Sequence, residues 1–442
     1  MSFNKLSEAI LFDIMRLAIH SGSWEDKLAG ISTMRRLNSR FNRIGSTPSL
    51  WNTVDVAWPK PLIKFFLSRS KGYDLILVLK IEEPMSRAIR DTCAQHLREY
   101  IPRAQELDVT ICNGQCTGNI ANALDQPAPR LRSLWVDLGD RVEAINRLVC
   151  NDAPLLTRLH MRSWRLCPVQ HFPSLRFLDM QITKAYHATL ISMLKQLEHV
   201  DHIELVWEGP VPDNFLVSRP SITLIHCRSF TLRNISVVGA RCMMNKVHLL
   251  AQGQVHVHLV LNDHELSTEN LSLPAFTLHT MVSPNAVTVE LREKFILVQL
   301  NSWPSYSFYV PLDHELFRTS EQNTSSVTCL TRIISSFMQA ACTRAVELAI
   351  YKAPSSSNFV LPTSDLSYIC LHILMMCPSL QVLELFGDLE AALLALLEID
   401  VAHSLPYLKD FHIGDEEDPS EAVAELLMTV QARGMWEQEV EG

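Results

Sequence analysis

His256 and His258 stand two residues apart in an alternating stretch, and Asp263 and His264 follow. Residues two apart on a strand share a face. The pair could therefore hold a metal or exchange protons, imidazole being the side chain that titrates nearest neutrality. A polar strand face beside an apolar one accounts for the same spacing more economically. Cys112-x-x-x-Cys116 offers at most half of a zinc site, because no second ligand pair stands at a useful spacing. The segment Gly114-Gln115-Cys116-Thr117-Gly118 lacks the lysine-serine ending of a phosphate-cradling loop. Neither a Gly-x-Ser-x-Gly elbow nor a His-Glu-x-x-His helix occurs. No metal and no cofactor are expected, and the chain reads as a non-catalytic protein. A cryptic α/β enzyme working through His256 and His258 stays as a rival.

The elements that would position these residues follow a repeated phrase, Pro-x-apolar-x-x-apolar-x-apolar. It runs as Pro102-Ala104-Leu107-Val109, Pro129-Leu131-Leu134-Val136, Pro154-Leu156-Leu159-Met161 and Pro173-Leu175-Leu178-Met180. The phrase returns as Pro378-Leu380-Leu383-Leu385 and Pro406-Leu408-Phe411-Ile413, with proline-free copies at Val200-Ile203-Leu205, Cys227-Phe230-Leu232 and Ala345-Leu348-Ile350. Starts at 102, 129, 154 and 173 are 27, 25 and 19 residues apart. These intervals bracket the period of leucine-rich repeats, about 20–29 residues. Helical apolar stripes lie between phrases: Pro84 to Tyr100, Val142 to Val149, Leu190 to Leu194 and Leu366 to Met376. The expected class is α/β, a curved leucine-rich-repeat-like solenoid with parallel strands on the concave side and helices on the convex side. A globular α/β domain with leucine-rich strands is the alternative.

The stretch 240–325 breaks the rhythm. Val255-Val257-Leu259-Leu261 alternates strictly, and Val287-Val289-Leu291 and Phe295-Leu297 flank Arg292-Glu293-Lys294 as a hairpin would. Ser305 to Val310 reads as a further strand, so an antiparallel excursion is expected in the middle of the arc. A helix over Val327 to Ala341 restarts the repeats, and 420–434 reads as a terminal capping helix after the acidic run Asp415 to Asp418.

In each phrase the residue between the last two apolar positions points away from the core. These residues are Asp108, Trp135, His160, Asp179, Glu204, Thr231, Glu384 and His412. An acidic surface with one large aromatic suits a basic or mixed-charge protein segment. Equally, any exposed sheet face must be polar. The sequence exposes no arginine cluster of the kind that reads phosphate.

Composition narrows the classes further. With 47% hydrophobic and 20% charged residues the 442-residue chain can bury a core, so it is not of the disordered class. Fourteen glycines fall well short of the usual share of about 7%, against collagen-like or linker-like architecture. Thirty-nine Lys and Arg against 48 Asp and Glu give a net charge of −9, against nucleic-acid binding. Eleven cysteines without framework spacing fit a reducing compartment. The first twenty residues interrupt their apolar stretch with Glu8, Asp13 and Arg16, and no run of about 18 apolar residues occurs. A cytoplasmic or nuclear protein with no membrane partner is expected.

The N-terminal fifty residues read as three short helices, with Leu6, Ile10, Ile14 and Leu17 on the first, Leu28 to Leu37 on the second, and Leu37 to Ile44 as a third segment. The run LSEAILFDIMRLA, then ISTMRRLNSRFNRIGSTPSLWNTVDV, resembles an F-box of the kind common in fungal proteins. The closing Ser46, Thr47, Pro48, Leu50 and Trp51 match that motif. Ser7 stands where proline is usual, Asn38-Ser39 replaces Cys-Arg, and Phe41 replaces tryptophan. The resemblance implies docking onto the Skp-type adaptor of a cullin-RING ubiquitin ligase through Leu6, Ile10, Ile14, Leu37, Phe41, Leu50 and Trp51. These are apolar positions that so small a module can hardly bury all at once. The expected organisation is an F-box-like module at 5–55, an irregular repeat arc at 56–413 and a capping turn and helix at 414–442. The expected role is the substrate-recognition subunit of that ligase, holding an unknown protein target on Asp108, Trp135, His160, Asp179, Glu204, Glu384 and His412. A repeat scaffold without ligase connection, its N-terminal helices acting only as a cap, is the alternative.

Overall fold

Proline holds φ near −65°, which fits the second position of a β-turn. In the computed structural model of the chain this is where the repeated prolines stand. The N–H of the fourth turn residue donates to the carbonyl of the first in Ala128-Pro129-Arg130-Leu131, Ala153-Pro154-Leu155-Leu156, Phe172-Pro173-Ser174-Leu175, Cys377-Pro378-Ser379-Leu380 and Leu405-Pro406-Tyr407-Leu408. Ile101-Pro102-Arg103-Ala104 forms the same turn. The proline-free copy at 200 keeps it, with Val200 N–H on the Leu197 carbonyl at 3.0 Å. Both ends of most of these turns are buried apolar residues, among them Ala128, Leu131, Ala153, Leu156, Phe172, Leu175, Cys377 and Leu380.

The structure describes residues 6–20, 24–82, 85–112, 118–138, 148–162, 171–182, 190–197, 199–209, 221–250, 253–260, 286–292, 295–301, 305–312, 327–328, 330–335, 345–352, 361–387, 390–414 and 421–432. The chain divides into two units, Met1–Gln181 and Ile182–Gly442. Both are mixed α/β, with mostly parallel strands.

The first unit opens with α1 (Glu8–His20), α2 (Trp24–Leu37) and α3 (Ser39–Ile44), then a 3-10 turn at Pro48–Leu50. Two of the motif departures serve as caps: Ser7 Oγ accepts from Ile10 N–H at the start of α1, and Asn38 Oδ1 accepts from Phe41 N–H at the start of α3. After them come β1 (Thr53–Asp55), α4 (Lys60–Ser70), β2 (Leu75–Ile81), α5 (Arg87–Tyr100), β3 (Ala104–Ile111), α6 (Gly118–Ala123), β4 (Ser133–Asp137), β5 (Arg158–Arg162) and β6 (Phe177–Ile182). Neighbouring strands pair in parallel from β1 through β6. Leu107, Val109, Leu134, Val136, Leu159, Met161, Leu178 and Met180, the last two apolar positions of each phrase, are all buried. Strands β1 and β2 precede the first phrase; β1 follows a turn of the same form, Thr47-Pro48-Ser49-Leu50, whereas β2 has no proline turn. The helix expected over 142–149 lies mostly outside the described residues.

The second unit contains α7 (Leu190–Lys195), β7 (His202–Trp207), β8 (Ile222–Leu224), β9 (Ser229–Ile235), α8 (Val237–Met244), β10 (Val247–Leu249) and β11 (Gln254–Leu259). It continues with β12 (Ala286–Arg292), β13 (Phe295–Asn301), β14 (Ser305–Pro311), β15 (Glu347–Lys352), α9 (Thr363–Met375), β16 (Val382–Gly387), α10 (Glu390–Glu398), α11 (Val401–Ser404), β17 (Asp410–Ile413) and α12 (Glu421–Ala432). The main sheet of this unit runs β7-β9-β11-β14-β13-β12-β15-β16-β17, and β8 pairs separately with β10. Pairing is antiparallel at β12–β13 and β13–β14, as the alternation predicted, but these strands are no branch off the sheet. They are built into it, because β14 pairs parallel with β11 and β12 pairs parallel with β15.

The turn geometry separates two contributions to stability. Leu156→Ala removes a fully buried side chain and is expected to cost about 2–5 kcal/mol. Pro154→Ala only loosens the unfolded chain and should cost no more than about 1 kcal/mol. Urea unfolding midpoints of the two variants check this, and equal losses would contradict it.

Candidate functional site

Because β3 to β6 are each reached through the same turn, the residues between their paired apolar positions come into line. In the first unit Asp108 stands opposite Trp135, Trp135 opposite His160, and His160 opposite Asp179. The second unit holds a longer row: Glu204, Thr231, His256, Ser307, Gln299, Thr288, Ala349, Glu384 and His412 are successive cross-strand partners. The predicted face residues are therefore brought together within each unit. His256, considered above only for metal binding or proton exchange, falls in the second row.

The contacts in the first row are specific. Trp135 is 43% exposed and lies flat on the His160 imidazole, with ring centroids 3.3 Å apart and planes 13° from parallel. His160 itself is only 6% exposed. Its Nδ1 is 2.5 Å from Asp179 Oδ2. An ionised carboxylate only accepts, so Nδ1 carries the proton and donates. His160 Nε2 and Asp179 Oδ1 are buried without a hydrogen-bond partner. At the other end Asp108 accepts from Thr110 Oγ1 at 3.2 Å and faces Lys80 Nζ at 3.5 Å. The arrangement presents one immobilised indole among carboxylates.

In the second unit Glu204 pairs with Arg233. His258 stacks on Tyr309 at 4.0 Å and 3°, and Tyr351 stacks on Phe386 at 4.5 Å and 5°. Sequence reasoning missed Tyr309, Tyr351 and Phe386, which, like His258, stand two positions past the residue of their strand that lies in the row. Following the alternation one step further along each strand would have found them. Asp263 and His264 lie outside the described residues, as does Cys116. Burial and then the Arg233 cation lower the pKa of His256, and the same two causes, with His256 itself, bring His258 down to about 4. Burial raises the Cys93 thiol to about 11 and the Cys227 thiol to about 12, so neither is a thiolate nucleophile at neutral pH.

The seven positions assigned to adaptor docking divide. Ile10 and Leu37 are 48% and 60% exposed, and Leu6 and Ile14 are half-buried. Phe41, Leu50 and Trp51 are buried, which corrects their assignment to a docking face. Trp51 donates from Nε1 to the Gly45 carbonyl at 3.0 Å and packs edge-on against Phe66 of α4, 5.2 Å between centroids. The core that the three helices lack is supplied by α4. Helix α1 remains two-faced, with Leu11 and Met15 buried while Ile10 and Leu17 face solvent.

No protein-family model matches the chain, and no curated protein matches it. Among the described residues no helix is long and apolar enough to cross a membrane.

The depressed histidines set a pH dependence. Between pH 6.5 and about 4 an unfolded His258 binds a proton that the folded one refuses. Its contribution to stability is therefore complete above 6.5 and declines as pH falls through that window. Urea midpoints measured at pH 7.5 and 5.0 should drop less in His258→Gln than in the parent chain, and an identical drop would show that His258 does not titrate this way.

Proposed function

We propose that this chain is a non-catalytic recognition subunit. On this reading α1 to α3 form an F-box-like module that docks the Skp-type adaptor of an SCF-type cullin-RING ligase. The parallel strands beyond belong to an irregular leucine-rich-repeat-like arc, whose exposed rows bind a protein target. The contribution to rate is proximity: adaptor and target held in one assembly turn a bimolecular encounter into an effectively unimolecular one. The chain itself makes no bond.

The observation that carries this reading is the second apolar stripe of α1. A helix that already buries Leu11 and Met15 and still turns Ile10 and Leu17 outward has a face suited to a partner. The Ser46-Thr47-Pro48-x-Leu50-Trp51 closing segment supports the F-box form of it. Trp135 favours a target on the first row, since an exposed indole held rigid by stacking is the residue type that dominates interface energies. The neighbouring carboxylates favour a basic or mixed-charge segment over nucleic acid.

The test is co-purification of the full chain with a Skp-type adaptor. Ile10→Asp with Leu37→Asp alters exposed positions, so the fold should survive and adaptor retention should fall at least tenfold. Trp135→Ala, folded, should retain adaptor in full. Failure of the parent chain to retain adaptor would leave the alternative, a repeat scaffold of protein interactions without ligase connection, with the N-terminal helices as its cap.

A further inference from the structure

Adjacent Arg35 and Arg36 meet the distant Arg69 in the first unit, which overturns the expectation that no arginine cluster is presented. Arg35 and Arg36 occupy the last turn of α2, and Arg69 occupies the last turn of α4. All three line one cavity of about 400 Å³, together with Leu28, Ile31, Asn42, Trp51 and Phe65.

Two of these side chains, Arg69 and Arg35, are positioned by uncharged groups. The Arg69 guanidinium lies over the Phe65 ring at 4.4 Å and over Trp51 at 4.8 Å. Arg35 donates from Nε to Asn42 Oδ1 at 3.0 Å and from Nη2 to Ser46 Oγ at 3.4 Å. Its aliphatic stem lies against Gly45, where a Cβ would come within 2.6 Å of the Arg35 Cγ. Some other arginines of this unit have carboxylate partners: Arg43 with Glu8, Arg87 with Asp91 and Arg130 with Asp74. No carboxylate is found among the described residues lining the cavity. Burial and the nearby Arg35 charge both lower the Arg69 pKa, as expected of cations left uncompensated beside one another.

We propose that this cavity is an anion site for a phosphate ester. One carboxylate is satisfied by a single guanidinium fork, whereas three guanidinium groups from two helices match the several oxygens of a phosphate. The exposed Phe65 ring and the apolar floor of Leu28 and Ile31 would take the organic part of the ester, for which the cavity volume leaves room. This site goes beyond the docking reading and does not rest on it.

The experiment is isothermal titration of the full chain, without adaptor, with phenyl phosphate, inorganic phosphate and benzoate. Phenyl phosphate is expected to bind saturably, more tightly than the other two, and less tightly as salt is raised. Arg36→Gln and Arg69→Gln should each weaken it roughly tenfold, the loss of one charge-assisted interaction. Arg36 is exposed, so its variant keeps the test valid if loss of the stacked Arg69 disturbs folding, which circular dichroism would report. Absence of saturable phenyl phosphate binding, unchanged binding in a folded Arg36→Gln chain, or equal binding of benzoate or inorganic phosphate would each overturn the proposal.

Discussion

The register of the exposed rows depends on how each strand is started. After the turn, the chain donates to the equivalent residue one strand back: Arg132 N–H to the Gln105 carbonyl, Thr157 to Arg132, Arg176 to Thr157, Gln381 to Val346 and Lys409 to Gln381. Each such bond fixes where the next strand begins relative to the last. Side chains alternate with period two, so a slip of one residue would turn Leu134 and Val136 outward and Trp135 inward. The turn's buried ends resist that slip, because Ala128 and Leu131, or Phe172 and Leu175, would have to leave the core together. Local turn chemistry and long-range burial select the same register.

What the fixed register provides on the first row is rigidity at an exposed aromatic. Asp179 orients the imidazole, the imidazole supports the indole, and each comes from a different strand. A free tryptophan would lose rotamer freedom on binding, while one already stacked has less to lose. The buried, unpaired His160 Nε2 and Asp179 Oδ1 count against stability, since desolvated polar atoms are costly. A sheet under selection for stability alone would place apolar groups there.

Much of this was legible in the sequence, and the remainder had a common physical cause. The phrase located β3 to β6 and their buried positions because a turn and a two-residue alternation are local. The row Asp108, Trp135, His160 and Asp179 was legible because one repeated turn carries register from strand to strand. The stack of Trp135 on His160 was not, since it depends on rotamers chosen across strands. Nor was the burial of Phe41, Leu50 and Trp51, because periodicity reports that a residue has an apolar face and not what covers it. The cover for Trp51 lies in α4, whose own stripe belongs to no repeated phrase. The meeting of Arg35 and Arg36 with Arg69 is of the same kind, two helix ends brought together by packing that neither sequence segment encodes alone.

The antiparallel strands of the second unit obey a parity constraint. Inserting a two-stranded hairpin into a parallel sheet would reverse the direction met by one of its neighbours. A three-stranded meander does not: β12 and β14 run the same way, so β11 and β15 both keep parallel partners. Directly opposed residues share a face in either kind of pairing, so the polar row passes through without interruption as Ser307, Gln299 and Thr288. These side chains are uncharged. The ionisable members of the row are thereby separated into Glu204 and His256 on one side of the meander and Glu384 and His412 on the other, so the insertion lengthens the row while keeping its ionisable members apart.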